Sequence, residues 1–591
     1  MTAFLDQIRA YLLSPDSPFE LFLRTVYHKV LATKWYFHWQ NYQSKRSYQK
    51  FRAQQLQGTE TAPETSPHQP KVTFLLSCAD GNSLGLESTL RSIQALQGDR
   101  WDVILFSPTD QLDPEFKGFK DQRIFVAQTE QANPIELITG EYVIFCQPGD
   151  QFNATLLVEF FRVLSKDEYV DLVYYDCKYL DPNTGRFHPL FKPSTCSPAL
   201  LLSVNYLSRG FLKTTALFDI PVEITFHSDL TCLEYAVHAY LCEKRTSFCH
   251  IPKVLATQTR LVTPDSPETQ QVIVDHLSRQ GLTSPKAAKT DTGIRFTWGN
   301  KSPSLAIIIP SKNNARFLQT LIQALINQPY QGEKSIYIVD NGSDDPATAR
   351  YYHEIEGHPK VNIIPFPQPF NYSEAINLGV RESDSELVLL MNDDMALMDE
   401  TWLDELAQWA IRPDIGVVGP KLLRKNHTIQ HAGIIMGLTG FIGHIYLNAP
   451  EDYHGLFGSA DWYRNYLAVT GACQMVRREV FNEVEGYDEG FQLAFGDIDF
   501  CLRVHESGYH NVYTPFARLY HFEGSSRGYK TPVEDALKGY DSFESYLINE
   551  DPYFSPNLTY TRIPKCVLNP RTTEERRKQI QARKRFYLKK A

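Results

Sequence analysis

The chain has 591 residues, 42% of them hydrophobic and 22% charged, with a formal net charge of −10. That length exceeds what one hydrophobic core sustains, so two or three domains are expected, and the acidic balance argues against a duplex nucleic-acid binder. No apolar run reaches bilayer-spanning length, Met1 to Asp6 lacks the start of a secretory signal, and the ten cysteines include no Cys-x-x-Cys pair; a cytoplasmic chain without disulfide framework or zinc site is expected.

Residues 1–57 carry apolar positions at helical spacing (Phe4, Ile8, Tyr11, then Phe22, Val26, Val30) before a basic stretch with Lys45, Arg46, Lys50 and Arg52, and predict a helical N-terminal arm. Residues 58–70 are rich in Pro and Thr and too poor in apolar side chains to build a core, so they read as a linker. Over 71–292 and again over 303–530, apolar strands alternate with helical patterns, the mark of a mostly parallel sheet covered by helices. The stretches 140–150 and 385–394 each run from an apolar strand into polar residues and then a helix pattern, which suggests duplication of one α/β domain. Residues 531–591 form a C-terminal extension with a basic tail from Arg576 to Lys590.

In the second α/β unit, Leu305 to Ile309 is a buried-strand run broken by Pro310. Ala315 to Asn327 is a helix with Phe317, Leu318, Leu321, Ile322 and Leu325 inward, and Ser335 to Val339 is a strand ending in Asp340. The run from Glu386 to Met391 leads straight into Asn392-Asp393-Asp394. Adjacent like charges are costly to desolvate, so such a pair at a strand end invites either a divalent cation or solvent. Ligands of open parallel sheets sit beyond the carboxyl ends of the strands, which predicts one polar cleft bordered by Asp340 and Asp394. Asp499 and Arg503 lie four residues apart and can pair on a helix. Trp462, Tyr463 and Tyr466 read as core or as a sugar-stacking surface, and lone His431 is given no chemistry.

The succession Ile309 to Asn313, Val339 to Ser343, Asn392 to Asp394, Val469 to Ala472, Phe495 to Arg503 and Tyr520 to Arg527 resembles family 2 glycosyltransferases with the GT-A fold. Pro369 to Ser373 and Gln430 to Gly433 make it most similar to soluble bacterial enzymes of O-antigen and surface-polysaccharide synthesis. The fold class implied is α/β, with two tandem GT-A-like (nucleotide-diphospho-sugar transferase) domains, the first degenerate.

The resemblance implies a metal-dependent, inverting, non-processive transferase using a nucleoside-diphosphate sugar and Mn²⁺ or Mg²⁺. Asp394 would be the direct metal ligand, Asn392 would stand for the first Asp of the DxD motif, and His521 would complete the metal site. Asp497 would be the general base, with Gly496 where Glu is common. Pro310, Lys312, Asn313, Asp340, Asn392, Asp393 and Arg527 would border the donor. The acceptor implied is a saccharide or a lipid-linked saccharide. The basic tail reads as a peripheral contact with the inner face of the cytoplasmic membrane or as a solvated end.

In the first unit Gln147-Pro148-Gly149-Asp150 stands where the metal motif would be, Phe106 to Asp110 replaces the Val-Asp-x-Gly-Ser pattern, and Glu234 is the nearest counterpart of the base. That unit is expected to pack against the active one or to hold the acceptor. The alternative for the whole chain is a non-catalytic carbohydrate-binding or scaffold protein of a glycan assembly complex.

Overall fold

The computed structural model describes residues 34–57, 69–77, 83–107, 121–128, 134–181, 184–218, 220–221, 229–244, 246–299, 302–522, 531–568 and 571–588. The first sheet contains β1 Val72–Ser77, β2 Trp101–Ser107, β3 Ile124–Gln128, β4 Tyr142–Cys146, β5 Gln151–Phe152, β6 Leu172–Asp181, β7 Arg186–Leu190, β8 Phe211–Lys213 and β9 Phe248–Gln258. A hairpin of β10 Thr283–Thr290 and β11 Gly293–Gly299 follows.

The second sheet takes β12 Leu305–Ser311, β13 Lys334–Asp340, β14 Val361–Pro365, β15 Leu387–Met391, β16 Met395–Leu397, β17 Ile415–Leu423 and β18 Ile429–His431. Two small hairpins come next, β19 Ile434–Met436 with β20 Ile442–His444 and β21 His454–Gly455 with β22 Gly458–Ser459. Then β23 Arg464–Asn465, β24 Cys473–Arg477 and β25 His510–His521 return to the sheet.

Among the described residues the strand orders are β3-β2-β1-β4-β8-β6-β9-β5 and β14-β13-β12-β15-β24-β17-β25-β16. Strand for strand these are one topology. The pairs β1–β2 and β12–β13 are parallel, β4–β8 and β15–β24 antiparallel, β6–β9 and β17–β25 parallel, and β5–β9 and β16–β25 antiparallel. The chain is thus an α/β protein of two tandem GT-A-like domains.

Central strands of such sheets are covered on both faces, so their sequences read as unbroken apolar runs. Accordingly, every residue of β12, β15 and β17 is buried. The helix Ala315–Asn327 buries Leu318, Leu321, Ile322 and Leu325 as its spacing predicts. Phe317 differs: it stays half-buried and meets the ring of Phe522 at 5.4 Å.

One continuous apolar core includes Leu212 and Leu233 of the first unit, Trp298 of the hairpin, and Leu305, Trp409 and Tyr463 of the second. Polar contacts fix the register between the units. The Ser197 hydroxyl and the Ala199 N–H both donate to Asn465 Oδ1, at 3.0 and 2.9 Å. The hairpin is anchored by Arg295, whose Nε lies 2.7 Å from Glu405.

Of the predicted arm, the helix Lys34–Gln57 lies within the described residues, and it bridges distant segments. Its Ser44 hydroxyl donates to the Pro564 carbonyl at 2.6 Å, and Phe37 and Phe51 pack edge-on against Tyr453 and Phe191. The C-terminal extension clasps both units: Pro552 O accepts the Ser194 N–H at 3.0 Å, and Asp551 Oδ2 accepts the Met436 N–H at 2.9 Å.

The basic tail is a helix, Thr573–Leu588, that buries Ile580 and docks on this extension. Some of its cations are engaged internally, Arg576 with Glu550 at 2.5 Å and Lys584 with Asp541. Among the described residues no helix is long and apolar enough to cross a membrane, and all cysteines other than Cys196 and Cys249 are buried.

Candidate active site

The site forms where β12, β13 and β15 end. The Asn392 N–H donates to Ala472 O at 2.9 Å. Its side-chain Oδ1 lies 3.1 Å from the Tyr372 hydroxyl, which also reaches Gly471 O at 3.2 Å. Asp393 Oδ2 accepts from the Ser311 hydroxyl at 2.8 Å, tying the end of β12 to the end of β15.

Asp394 is buried, and its Oδ1 lies 3.2 Å from Nε2 of His521, also buried. The antiparallel ladder of β16 on β25 makes this meeting, since it sets Met395 opposite His521 and lets the Phe522 N–H donate to Asp394 O at 3.0 Å. The other ring nitrogen of His521, Nδ1, is buried and has no hydrogen-bond partner among the described residues.

Asp497 is the second residue of the helix Gly496–Glu506. Its Oδ2 accepts the Gly471 N–H at 2.7 Å and its Oδ1 the Ile498 N–H at 3.0 Å. Burial pushes this carboxyl above the usual carboxylate range, opposed by those backbone donors. Gly471 leaves no room for a side chain: a Cβ there would stand 2.8 Å from Cβ of Asp497. Its N–H holds Asp497 while its C=O meets Tyr372 beside Asn392, so a single loop couples the strand-end motif to this half-buried acid. Asp499 pairs with Arg503 at 2.8 Å, as their spacing predicts.

The neighbouring strand end is organised by its own turn. Asp340 accepts from the Ser343 N–H at 3.1 Å, the Ser343 hydroxyl at 2.5 Å and the Tyr352 hydroxyl at 3.0 Å. Asn313, at φ 51°, clamps that turn by donating to Asp344 Oδ1 at 2.7 Å and accepting the Asp344 N–H at 2.9 Å. Pro310 is buried within β12 and Lys312 is exposed beyond it. Arg527 lies outside the described residues.

Asn392, Asp393, Asp394, His521 and Asp497 are therefore brought together, with Asp340 and Asn313 on the adjoining strand end. Tyr372 and Ser311 are contributors that residue-by-residue reading passed over, although each lies within or next to a run quoted for the resemblance. A carboxylate oxygen next to an imidazole nitrogen suits Mn²⁺, and Mg²⁺ less well, provided phosphate and water complete the shell. Among the described residues no cluster of three or more His, Cys, Asp or Glu forms a closed metal cage.

The same position in the first unit is filled differently. Asp150 is fully buried and bonded to Nε of Arg209, whose Nη1 lies 2.7 Å from Glu234. Glu234 takes the place of Asp497, accepting the Arg209 N–H as Asp497 accepts that of Gly471, but its carboxylate is also paired with the Arg209 guanidinium. The helix that carries it, Leu230–Glu243, is capped by Asp229, and the Thr231 hydroxyl bonds Gln147.

Residues 306–485, within the second unit, match the family model Glycosyl transferase family 2. The chain is 30% identical over 543 residues to the uncharacterised protein y4gI of Sinorhizobium fredii, covering 85% of this chain and 59% of that one. It is 32% identical over 436 residues to the O-antigen biosynthesis protein RfbC of Myxococcus xanthus, covering 71% of this chain and 34% of RfbC. The chain thus spans less than two thirds of the length of either relative. Among solved structures it is similar to a mannosyltransferase of Pyrobaculum calidifontis in complex with GDP-Man and Mn²⁺, at 16% identity and a TM-score of 0.32, over 47% of this chain and 71% of that one.

Proposed function

We propose that residues 303–530 transfer a sugar from a nucleoside-diphosphate donor to a saccharide or lipid-linked acceptor in bacterial surface-polysaccharide synthesis, with inversion and one or a few sugars at a time. The observation that carries this reading is the Asp394–His521 pair joined through one glycine loop to a half-buried carboxylate, Asp497. The name of the relative RfbC points to the same pathway class.

Asp394 and His521 would hold Mn²⁺ or Mg²⁺, which as a Lewis acid stabilises the charge on the departing diphosphate. Asp497 accepts the proton of the acceptor hydroxyl as that oxygen bonds to the anomeric carbon and the sugar–phosphate C–O bond breaks. A carboxylate of raised proton affinity is suited to that role, and the two backbone N–H groups keep it ionised and oriented. Attack opposite the leaving group gives inversion by single displacement, by analogy with inverting sugar hydrolysis. Asn392, Asp393, Asp340, Asn313, Lys312, Pro310 and Arg527 border the donor, and residues 71–292 act as a non-catalytic sister domain. The reaction runs in the cytoplasm, at the inner face of the membrane when the acceptor is lipid-linked.

The test is hydrolysis and transfer with UDP-, dTDP- and GDP-sugars, with and without Mn²⁺, for the wild type and Asp394→Ala. Metal-dependent turnover of one donor, lost in the variant, is the expected result. If no donor is turned over or bound in a metal-dependent way, the carbohydrate-binding or scaffold reading replaces this one.

A further inference from the structure

A cavity of about 1180 Å³ opens outside the candidate active site. Four segments wall it: Thr231 and Thr259 to Asp265 beside the first sheet, the β6–β7 hairpin, the helix Lys34–Gln57, and residues 454–462 of the second unit. Thr259 directly follows β9, and its N–H donates to Asp150 as the Phe522 N–H donates to Asp394 in the second unit. The cavity therefore lies at the first unit's copy of the strand-end cleft, where open α/β sheets bind ligands. The cation position there is filled from within by Arg209, so a metal–diphosphate group is not what this cleft takes. Its volume exceeds the roughly 300 to 1,000 Å³ of ordinary small-molecule pockets, which suits an extended ligand.

The charge on its walls is unlike that of the chain as a whole. Lys45, Arg52, Arg186 and Arg260 line the cavity with exposed side chains, and none forms an ion pair with a carboxylate among the described residues. Two carboxylates, Asp181 and Asp265, share the wall, so four cations stand against two anions there. In a protein of net charge −10, this is a local excess of positive charge facing one cleft. Planar guanidinium forks suit carboxylate and phosphate oxygens.

The remaining wall is aromatic. Tyr463 and Tyr466 are fully buried, whereas Trp462 keeps part of its ring exposed in the cavity. Trp462 sits edge-on to His454, which is held 2.8 Å from the Tyr179 hydroxyl, so residues of both units fix this surface. An apolar ring face beside polar hydroxyl and imidazole groups matches the alternating C–H and O–H surface of a sugar.

We propose that this interdomain cleft binds an acidic glycan, a saccharide chain carrying carboxylate or phosphate groups. Identifying that glycan as the acceptor of the second unit rests on the proposed function; the binding itself does not.

The test is calorimetric titration of the full chain with oligogalacturonate, pentamannosyl phosphate, neutral maltopentaose and inorganic pyrophosphate. The proteins compared are the wild type, the double variant Arg186→Ala/Arg260→Ala, and Trp462→Phe. Expected is binding of one acidic chain at least about tenfold tighter than maltopentaose or pyrophosphate, a loss of about tenfold or more in the double variant, and a smaller loss in Trp462→Phe. Which acidic chain binds identifies the anion. Both altered arginines are exposed and lie outside the catalytic machinery, so donor hydrolysis stays unchanged. Equal binding of neutral and acidic chains, equal binding of pyrophosphate, an unaffected double variant, or no saccharide binding each overturns the proposal. Absent donor hydrolysis in the wild type would sink the proposed function alone.

Discussion

In the first unit Asp150 is enclosed by Arg209, the Gln147 N–H and the Thr259 N–H; in the second, Asp394 faces the imidazole of His521. Both carboxylates stand at the same turn of the same topology, and both are withdrawn from water, which requires a compensating charge or donor. The first unit meets that requirement with a covalently tethered guanidinium that is itself shared with Glu234. The second meets it with a side chain that can also serve as a metal ligand. One repeated fold thus places a strand-end carboxylate in two settings, locked to a guanidinium in one copy and, on the proposed reading, available as a metal ligand in the other.

The sharpest way to break this contrast is at the two counterpart acids. Asp497→Asn is expected to lower transfer by roughly 10² to 10⁴-fold, as for loss of a general base, while Glu234→Gln leaves donor turnover unchanged in the native protein. Steady-state kinetics on the two variants decides it, and equal losses would erase the distinction between the units.

The carboxylates themselves come next. Asp150→Ala leaves Arg209 buried with one partner fewer, and urea unfolding should show a loss of about 3–5 kcal/mol with turnover retained in the surviving native protein. Asp394→Ala should show the reverse, lost turnover with a smaller cost to the fold. A stability loss of equal size in both would mean that Asp394 is structural as well.

The smallest effect per step, a slope with pH, probes how firmly the units are joined. Burial pushes the Asp551 carboxyl up to about 7 from an ordinary 3.8. Between those values the native state binds more protons than the unfolded chain, so stability falls as pH rises from about 4 to about 7, by up to about 1.4 kcal/mol per unit, and levels off above. Asp551 N–H partners lie in the second unit and the extension, while the adjoining Pro552 carbonyl holds Ser194 of the first. A single thermal transition that carries this slope, and loses it in Asp551→Asn, indicates that the two units unfold together. Two transitions, only one of them pH-dependent, would show that the shared core does not couple them.

Much of this architecture is legible in the chain because burial on both faces of a sheet demands uninterrupted apolar runs. β12 and β15 stand out for that reason, and the Asp499–Arg503 spacing foretells its ion pair through helix geometry alone. Phe317 departs from its helix stripe because the ring of Phe522, far along the chain, gives it a partner at the rim. Glu234 is legible as the counterpart of the base, whereas the pairing of its carboxylate with Arg209 is not. Arg209 carries no local signal, since its partners lie 59 and 25 residues away.

The amino-acid sequence by itself determined the repeated α/β units and the acidic strand end at Asn392-Asp393-Asp394, because periodicity and strand-end placement are local properties of a chain. Only the tertiary structure decided which carboxylate meets an imidazole and which a guanidinium, and that the arm, the hairpin and both units enclose one basic cleft. Those outcomes depend on pairings such as β16 with β25 and on the shared core, where residues far apart in sequence become neighbours.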